Sequence, residues 1–314
     1  MQNGLDLLNA IQKNISKVIV GKERTISLIL VSLLCKGHIL IEDVPGVGKT
    51  TLVSALAKSL DCSFKRIQFT PDVMPSDITG FTVSNFKTGE FEFHPGLIMS
   101  QIILADEINR TSPKTQSSLL EVMEEYQVTV DGVTYPVPQP FMVLATQNPV
   151  EYIGTFPLPE AQLDRFFMRI TIGYPHLAEE IEILNRFQHG NPLKDLKPVA
   201  SAEEILALQA LVPKVFCADE IKTYIAKIVY YTRDQADLSL GASPRGSIFL
   251  MKAAQAYALL QGRNYVIPDD VQKMVIPVLA HRLILKPEAR LKDITPRKVL
   301  QSVLNDLEVP MLNL

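Results

Sequence analysis

The chain has 314 residues, 47% of them hydrophobic, so it is long enough to build two domains with sizeable apolar cores. Its 31 Lys and Arg residues against 34 Asp and Glu residues give a formal net charge of −3, which provides no overall positive field for nucleic-acid binding. The amino terminus lacks a basic segment followed by an apolar one, and no apolar run reaches the roughly 20 residues of a membrane helix. We therefore expect a cytoplasmic protein without a membrane segment, in which the apolar residues 26–35 form a buried helix.

The cysteines and histidines indicate neither a disulfide framework nor a transition-metal centre built by the protein alone. Cys35, Cys62 and Cys217 are odd in number and far apart. The five histidines lack the His-x-His or His-Glu-x-x-His spacing of metal ligands, so we expect any metal to arrive with a ligand.

Short apolar runs alternate with helical patterns over the first 175 residues. Five runs are predicted to be strands: HILIE (38–42), FKRIQF (64–69), QIILADE (101–107), FMVLAT (141–146) and MRITI (168–172). Between them, helices are predicted at 51–60 and from Pro113 onward, with Ser112 or Thr111 as N-cap. This alternation is typical of a parallel sheet covered by helices, the α/β class.

Two inserts and a change of pattern complete the organisation. Residues 82–93, turning near Gly89, and 127–137, with the turn signal Asp131-Gly132, are predicted to be hairpins. After residue 175 the pattern becomes helical, so we divide the chain into an α/β domain, 1–175, and a helical domain, 176–314. The helices of the second domain are predicted at 176–187, 202–212, 219–233, 243–261, 268–283 and 296–307.

The segment HILIEDVPGVGKTT, residues 38–51, runs from a strand through a glycine-bearing turn into a helix. Its glycines allow main-chain N–H groups to converge on phosphates, Lys49 can reach the β and γ phosphates, and the Thr50 hydroxyl can ligate Mg²⁺. The predicted nucleotide contacts here are Pro45, Gly46, Val47, Gly48, Lys49, Thr50 and Thr51. The alternative is a strand-to-helix turn with a surface lysine.

One position departs from the usual pattern G-x-x-x-x-G-K-[ST]. Asp43 stands six residues before Lys49, where glycine is usual, so Pro45-Gly46 must set the path of the loop. We interpret the aspartate as a tolerated departure and predict that Asp43→Gly leaves the ATP affinity within about tenfold. A larger loss would mean that the aspartate itself shapes the site.

An apolar strand ending in two adjacent acids follows the loop. In QIILADEINR, Asp106 comes 57 residues after Lys49 (106 − 49). Asp106 is expected to hold Mg²⁺ and its water shell, and Glu107 to orient the attacking water. In LATQNP, residues 144–149, Asn148 falls beside the γ-phosphate if its strand lies between the first and third strands; otherwise it is a turn residue.

Two arginines are candidates for contact with an anion. Arg165 precedes the fifth strand, from which it can reach a neighbour's nucleotide or pair with Asp164 at the surface. Arg245 lies in the first turn of a helix, where the helix dipole disfavours a cation. It either awaits an anion or is neutralised by Asp234, Asp237 or another acid.

Four segments together resemble the MoxR family of AAA+ ATPases: DVPGVGKT, IILADEINRTSPKTQSSLLEVMEE, ATQNPVEYIGTFPLPEAQLDRF and GASPRG. The resemblance runs roughly from residue 20 to residue 282. It implies a three-layer α/β/α domain with sheet order 5-1-4-3-2, followed by a small helical lid. It also implies a ring, commonly a hexamer, with ATP at the subunit interfaces.

The resemblance assigns roles to the candidate residues. Lys49 and Thr50 match the Walker A residues, Asp106 and Glu107 the Walker B pair, and Asn148 the sensor 1 residue. Further matches are Arg165 to a trans-acting arginine finger, Arg245 to sensor 2, and Ile19, Val20 and Gly21 to a segment that packs on adenine.

In relatives the two hairpins face the ring's opening or its partners; the alternative is that the aromatic residues Phe86, Phe91 and Phe93 merely fold the first one onto the sheet. Proteins of this family are described as chaperone-like ATPases that act with von Willebrand factor A-domain partners to mature other proteins. Two other functions remain open: a nucleotide-gated scaffold with little turnover, and a DNA-directed AAA+ motor, which the charge balance disfavours.

Overall fold

The computed structural model describes residues 2–84, 90–148, 154–188 and 190–311. The first half of the chain contains α1 (Gln2–Ser16), α2 (Glu23–Leu34), β1 (Ile39–Glu42), α3 (Lys49–Ser59), β2 (Phe64–Gln68), α4 (Pro75–Thr79), β3 (Gly80–Ser84), β4 (Phe91–Pro95), β5 (Ile102–Asp106), α5 (Pro113–Glu125), β6 (Gln127–Val130), β7 (Val133–Pro136), β8 (Met142–Gln147), α6 (Glu160–Leu163) and β9 (Met168–Ile170). The second half contains α7 (Leu177–Gln188), α8 (Ala202–Gln209), α9 (Asp219–Tyr231), β10 (Leu238–Leu240), α10 (Pro244–Leu260), α11 (Pro268–Leu279), β11 (Ile284–Leu285), α12 (Pro287–Leu291) and α13 (Pro296–Asp306).

The five predicted strands form one parallel sheet in the order β2-β5-β8-β1-β9. Read from the other edge, this is the expected order 5-1-4-3-2. The polar ends of β5 and β8 therefore lie beside the end of β1, from which the glycine-bearing loop leaves. The α/β architecture with a helical lid is confirmed.

Alternate residues of each central strand enter two different cores, which explains why these strands are apolar throughout. Ile39 and Ile41 of β1 pack with α2 and α3 on one face, whereas Leu40 packs with α5 on the other. The predicted helix at residues 26–35 is α2, and Ser112 caps α5 by accepting a hydrogen bond from the Thr115 main-chain N–H at 3.3 Å.

Both predicted hairpins are present. Strands β3 and β4 pair antiparallel, but their turn at Gly89 and the side chain of Phe86 lie outside the described residues. Strands β6 and β7 meet at Asp131-Gly132, where both residues have positive φ, 48° and 81°. This is the backbone conformation that a tight two-residue hairpin turn requires.

The hairpins contact each other, and their aromatic residues divide between two roles. The rings of Phe93 and Tyr135 stack with centroids 3.9 Å apart, and Thr82 donates a hydrogen bond to Asp131. Phe91, by contrast, is 78% exposed. Phe93 thus folds the first hairpin against the second, while Phe91 remains available for a contact.

The second half differs in two respects from the predicted all-helical domain, and one of them is the short helix α12, which was not predicted. Strands β10 and β11 form a small antiparallel ladder, which was missed because strands of three and two residues show no periodicity. Helices α10 and α11 pack on α2 and on β9, and their apolar residues join the core that covers one face of the sheet. The lid is thereby attached to the sheet on the side of β9.

Candidate nucleotide-binding site

A cleft of about 380 Å³ opens where the loop after β1 meets the ends of β5 and β8. It is lined by Pro45, Gly46, Gly48, Lys49, Thr50, Thr51, Arg66, Gln68, Asp106, Glu107, Thr146 and Asn148. The topology therefore brings the loop residues, the two adjacent acids and the asparagine into one site, although they are spread over about a third of the chain.

The loop leaves room for a phosphate chain. Gly46 and Gly48 have φ of 86° and 88°, and a Cβ atom built on either would meet nothing within 4 Å. Helix α3 begins at Lys49, so its first N–H groups and the positive end of its dipole lie at the same place. An open, donor-rich cradle of this kind fits the β and γ phosphates of a nucleoside triphosphate.

The Lys49 side chain is held inside the loop. Its Nζ donates a hydrogen bond to the main-chain oxygen of Asp43 at 2.6 Å. Burial lowers the pKa of Lys49, and the nearby carboxylates of Asp43, Asp106 and Glu107 oppose that effect. A phosphate entering the cradle offers Lys49 an acceptor that is itself charged.

Thr146 on β8 positions both acids. Its hydroxyl donates to Asp106 Oδ1 at 2.6 Å and accepts from the Glu107 main-chain N–H at 2.8 Å. Glu107 has φ of 58°, a left-handed conformation that is strained for a residue with a side chain. One hydroxyl thus fixes the carboxylate of one acid and the backbone of the next.

Strand β2 supplies two further side chains to the acids. Arg66 contacts Asp106 Oδ2 through Nη2 at 2.6 Å and Nε at 3.1 Å, and Gln68 Nε2 donates to Glu107 Oε2 at 2.9 Å. Arg110 also contacts Glu107 Oε2, at 3.0 Å. Asp106 and Glu107 therefore both accept hydrogen bonds or ion pairs from protein side chains.

A second cleft, of about 450 Å³, lies on the other side of the loop and is more apolar. Ile19, Val20 and Val47 line it together with Gly46 and Gly48, so it is continuous with the phosphate cradle. Its far wall comes from residues that the sequence did not indicate: Ile172, Tyr174, Pro175, Glu180, Ile183, Leu184 and Phe187. The shape and apolar lining fit a nucleotide base.

Gly21 does not line this cleft, but it shapes the segment that does. Its φ is 68°, and a Cβ atom there would meet Glu179 Oε1 at 2.0 Å. The next residue, Lys22, donates to the main-chain oxygen of Tyr174 at 3.0 Å. The segment after α1 and the start of α7 are thus joined around this glycine.

Arg165 and Arg245 line neither cleft; they meet instead on Glu124, at the end of α5. Glu124 Oε2 lies 3.3 Å from Arg165 Nε, and Oε1 lies 2.9 Å from Arg245 Nη2. The possible ion pair between Asp164 and Arg165 is therefore replaced by one to Glu124. Arg245 is neutralised by another acid, Glu124, with Asp164 Oδ2 at 3.9 Å, and not by Asp234 or Asp237.

Arg282, from the lid, fixes the main chain around Arg165. Its Nη2 donates to the main-chain oxygens of Asp164 at 3.0 Å and Phe166 at 2.6 Å, and its Nε contacts Asp164 Oδ1 at 2.8 Å. The guanidinium is buried, which lowers the pKa of Arg282 to about 10 although Asp164 favours its charged form. The residues on both sides of Arg165 are thus bound by one lid side chain.

Comparisons with known proteins identify the family of the chain. The model of the ATPase family associated with various cellular activities (AAA) matches residues 38–168, and an AAA lid domain matches residues 230–303. Protein YeaC of Bacillus subtilis is 54% identical over 97% of this chain and 95% of its own, and Chaperone MoxR1 of Mycobacterium tuberculosis is 42% identical over 95% and 81%. A crystal structure from Cytophaga hutchinsonii superposes with a TM-score of 0.93 at 38% identity, covering 99% of this chain and 97% of the other.

The fold and the loop-plus-acids cleft define an ATPase of the AAA+ class. The chain belongs to the MoxR family of these ATPases. None of the helices within the described residues has the length and hydrophobicity that a membrane span requires.

Some residues of the site were beyond sequence reasoning. Arg66 and Gln68 alternate along β2 with the buried Ile67, which places them on one side of the strand, but their relevance depends on β2 being the neighbour of β5. Thr146 stands in the quoted LATQNP motif, two residues before Asn148, and only the strand register shows that it contacts the acids.

Proposed function

We propose that this protein binds ATP with Mg²⁺ in the two connected clefts, hydrolyses it at subunit interfaces of a ring, and uses the cycle to remodel or mature other proteins. One observation carries the proposal. The phosphate loop, Asp106, Glu107 and Asn148 line one cleft, whereas Arg165 and Arg245 lie outside it and share the carboxylate of Glu124. We infer that a cation beyond Lys49, directed at the reacting phosphate, comes from a second subunit.

Each side chain has a role that its position supports. Lys49 exchanges the Asp43 carbonyl for the β and γ phosphates, and the N–H groups of the loop bind the same oxygens. Thr50 and Asp106 would hold Mg²⁺, which neutralises phosphate charge when bound. Asp106 becomes available when Arg66 leaves its Oδ2 atom.

Glu107 and Asn148 act on the water. Glu107 accepts a hydrogen bond from the attacking water and orients it, and Asn148 helps to hold it beside the γ-phosphate. Thr146 keeps the Glu107 backbone in its left-handed conformation, which directs the carboxylate into the cleft. Release of Glu107 from Gln68 is then part of activation.

The half-buried Arg165 and Arg245 would supply the additional positive charge. The side chains of Arg165 and Arg245 are 31% and 42% exposed; both pair with Glu124, and Arg245 also lies 3.9 Å from Asp164. A surface pair of this kind is worth under about 1 kcal/mol, so an incoming triphosphate can displace it. In a ring, commonly a hexamer, this surface would face the nucleotide of the adjacent subunit.

The remodelling role is supported by kinship and by the hairpins. MoxR1 of Mycobacterium tuberculosis carries the name of a chaperone. The first hairpin presents the exposed Phe91, a side chain suited to contact another protein. We extend the proposal to a von Willebrand factor A-domain partner and to action in the cytoplasm.

Loss of the loop lysine and loss of the acid should have different consequences. Lys49→Ala is expected to abolish ATP binding, because the loop loses the side-chain cation that lies inside it and can reach the β and γ phosphates. Glu107→Gln is expected to keep ATP affinity within a few fold and to lower turnover at least about a hundredfold. Nucleotide titration and phosphate release measure both, and normal turnover in either variant would refute the assignment.

Arg165 requires a mixing experiment. Arg165→Ala is expected to lower turnover about a thousandfold. Mixing it with Lys49→Ala subunits should restore activity, because the intact loop of one subunit meets the intact arginine of the other. Arg290→Ala, which removes an exposed arginine of α12, is the matched control. It should change neither the turnover of the variant alone nor the turnover after mixing. Activity that is independent of mixing and concentration would contradict an interface role.

A nucleotide-gated scaffold is the second candidate, and a specific observation favours it. Lys49, Asp106 and Glu107 all have protein hydrogen-bond partners, which nucleotide binding would have to displace before any hydrolysis. Single-turnover measurements separate the two functions, since a scaffold binds ATP and releases no phosphate. No feature of the described residues favours the DNA-directed motor.

A further inference from the structure

Asp43, the residue that departs from the usual loop pattern, uses its carboxylate to bind the main chain of three other residues. Its side chain is only 8% exposed. Oδ1 accepts a hydrogen bond from the main-chain N–H of Val44 at 2.9 Å, and Oδ2 accepts from those of Ile172 and Gly173 at 2.6 and 2.7 Å. A glycine at this position could make none of these bonds.

These bonds join two parts of the nucleotide site that are far apart in sequence. Asp43 opens the phosphate loop, and Ile172 and Gly173 follow β9. Ile172 lines the base-side cleft, and Gly173 leads directly into Tyr174 and α7, which form its far wall. The positive φ of Gly173, 69°, is a conformation that glycine adopts without strain.

The part of the far wall that α7 forms depends on such bonds because this helix has little packing of its own. Helix α7 has no buried residue, and Leu184 in the wall is 67% exposed. Besides Asp43, the described bonds that hold this region include those of Lys22 to the Tyr174 carbonyl and of Arg186 to the carbonyls of residues 16 and 17. Of these, the Asp43 contacts are the ones that reach the phosphate loop.

We propose that Asp43 is a positioning residue that sets the distance between the base-side wall and the phosphate loop. With this distance fixed, one nucleotide can place its base in the second cleft and its triphosphate in the loop at the same time. The inference rests on the proposed nucleotide function. Hydrogen bonds to a charged acceptor are about twice as strong as neutral ones, which suits a carboxylate for this task. It replaces the expectation that Asp43→Gly is tolerated.

The test compares a ligand that uses both clefts with one that uses only the cradle. Calorimetric titration of Asp43→Gly should show an ATP affinity about thirtyfold lower than that of wild type. A loss of this size corresponds to the net contribution of about one hydrogen bond to a charged group. Affinity for inorganic tripolyphosphate, which has no base, should stay within about threefold. Asp43→Asn keeps an oxygen for Ile172 and Gly173 and should lose only about fivefold, again for ATP alone.

The neighbouring residue offers a matched control. Glu42 pairs with Arg169 at 3.0 Å, which also links β1 to β9, but it does not contact the wall. Glu42→Gln should leave the ratio of ATP to tripolyphosphate affinity unchanged.

Three outcomes would overturn the inference: an ATP loss within tenfold in Asp43→Gly, equal losses for both ligands, or an unchanged ratio in Asp43→Asn. The last comparison decides the matter if Asp43→Gly does not fold. A wild-type protein that binds neither ligand would instead refute the proposed function.

Discussion

Acidification should destabilise the protein through a buried histidine at the start of β1. His38 is 4% exposed, its Nε2 lies 2.9 Å from the Met123 carbonyl oxygen, and its Nδ1 accepts the Val143 main-chain N–H at 3.0 Å. This arrangement needs the neutral ring with its proton on Nε2. Burial accordingly lowers the pKa of His38 from 6.5 to about 4.

The sign and size of the effect follow from proton uptake. Between pH 6.5 and pH 4 the unfolded chain binds a proton at His38 and the folded protein does not, so stability is full above pH 6.5 and falls as the pH is lowered. From pH 7 to pH 5 this one residue should cost about 2 kcal/mol of unfolding free energy. His281, whose pKa is also lowered by burial and by Arg282, acts in the same direction.

Urea unfolding at pH 7, 6 and 5 measures the effect in wild type and in His38→Gln. The variant cannot gain the proton, so its stability should fall by about 2 kcal/mol less over this range, whatever its stability at pH 7. His176→Gln, which alters an exposed imidazole, is the control and should follow wild type. Parallel curves for wild type and His38→Gln would show that His38 does not titrate as argued.

Two further predictions concern the clefts. Arg66→Ala removes the guanidinium that competes for Asp106, so ATPase activity should reach half its maximum at a free Mg²⁺ concentration about fivefold lower, the equivalent of a surface ion pair of about 1 kcal/mol. An unchanged or higher requirement in a magnesium titration would contradict this competition. Gly21→Ala forces a side chain into a left-handed position and against Glu179, at a cost of about 1–2 kcal/mol. A lower melting temperature and weaker ATP binding are expected, and retention of both would show that the segment adapts.

The sheet and the phosphate cradle could be predicted because their signals are local. Strands buried on both faces are apolar throughout, and the polar residues that end them, such as Asp106 and Asn148, stand out against that background. The order of the strands came from family resemblance, and it is this order that brings the polar ends together.

What escaped prediction depends on register and on distant partners. Gln68 is aligned with Asp106 only through the pairing of β2 with β5. Glu124 is separated from Arg245 by 121 residues, so the helix-dipole argument could say that Arg245 needs an anion but not which one. Asp43 looked like a missing glycine because its partners, Ile172 and Gly173, lie at the other end of the domain.

The hydrogen bonds of Arg282 to the main-chain oxygens of Asp164 and Phe166 connect the lid to the segment that carries Arg165. A rotation of the lid that keeps these hydrogen bonds would therefore also move the main chain on both sides of Arg165. If Arg165 completes the adjacent subunit's site as proposed, a movement of the lid in one subunit would be transmitted to the nucleotide site of its neighbour. Communication between neighbouring nucleotide sites in a ring would then depend on the buried guanidinium of Arg282.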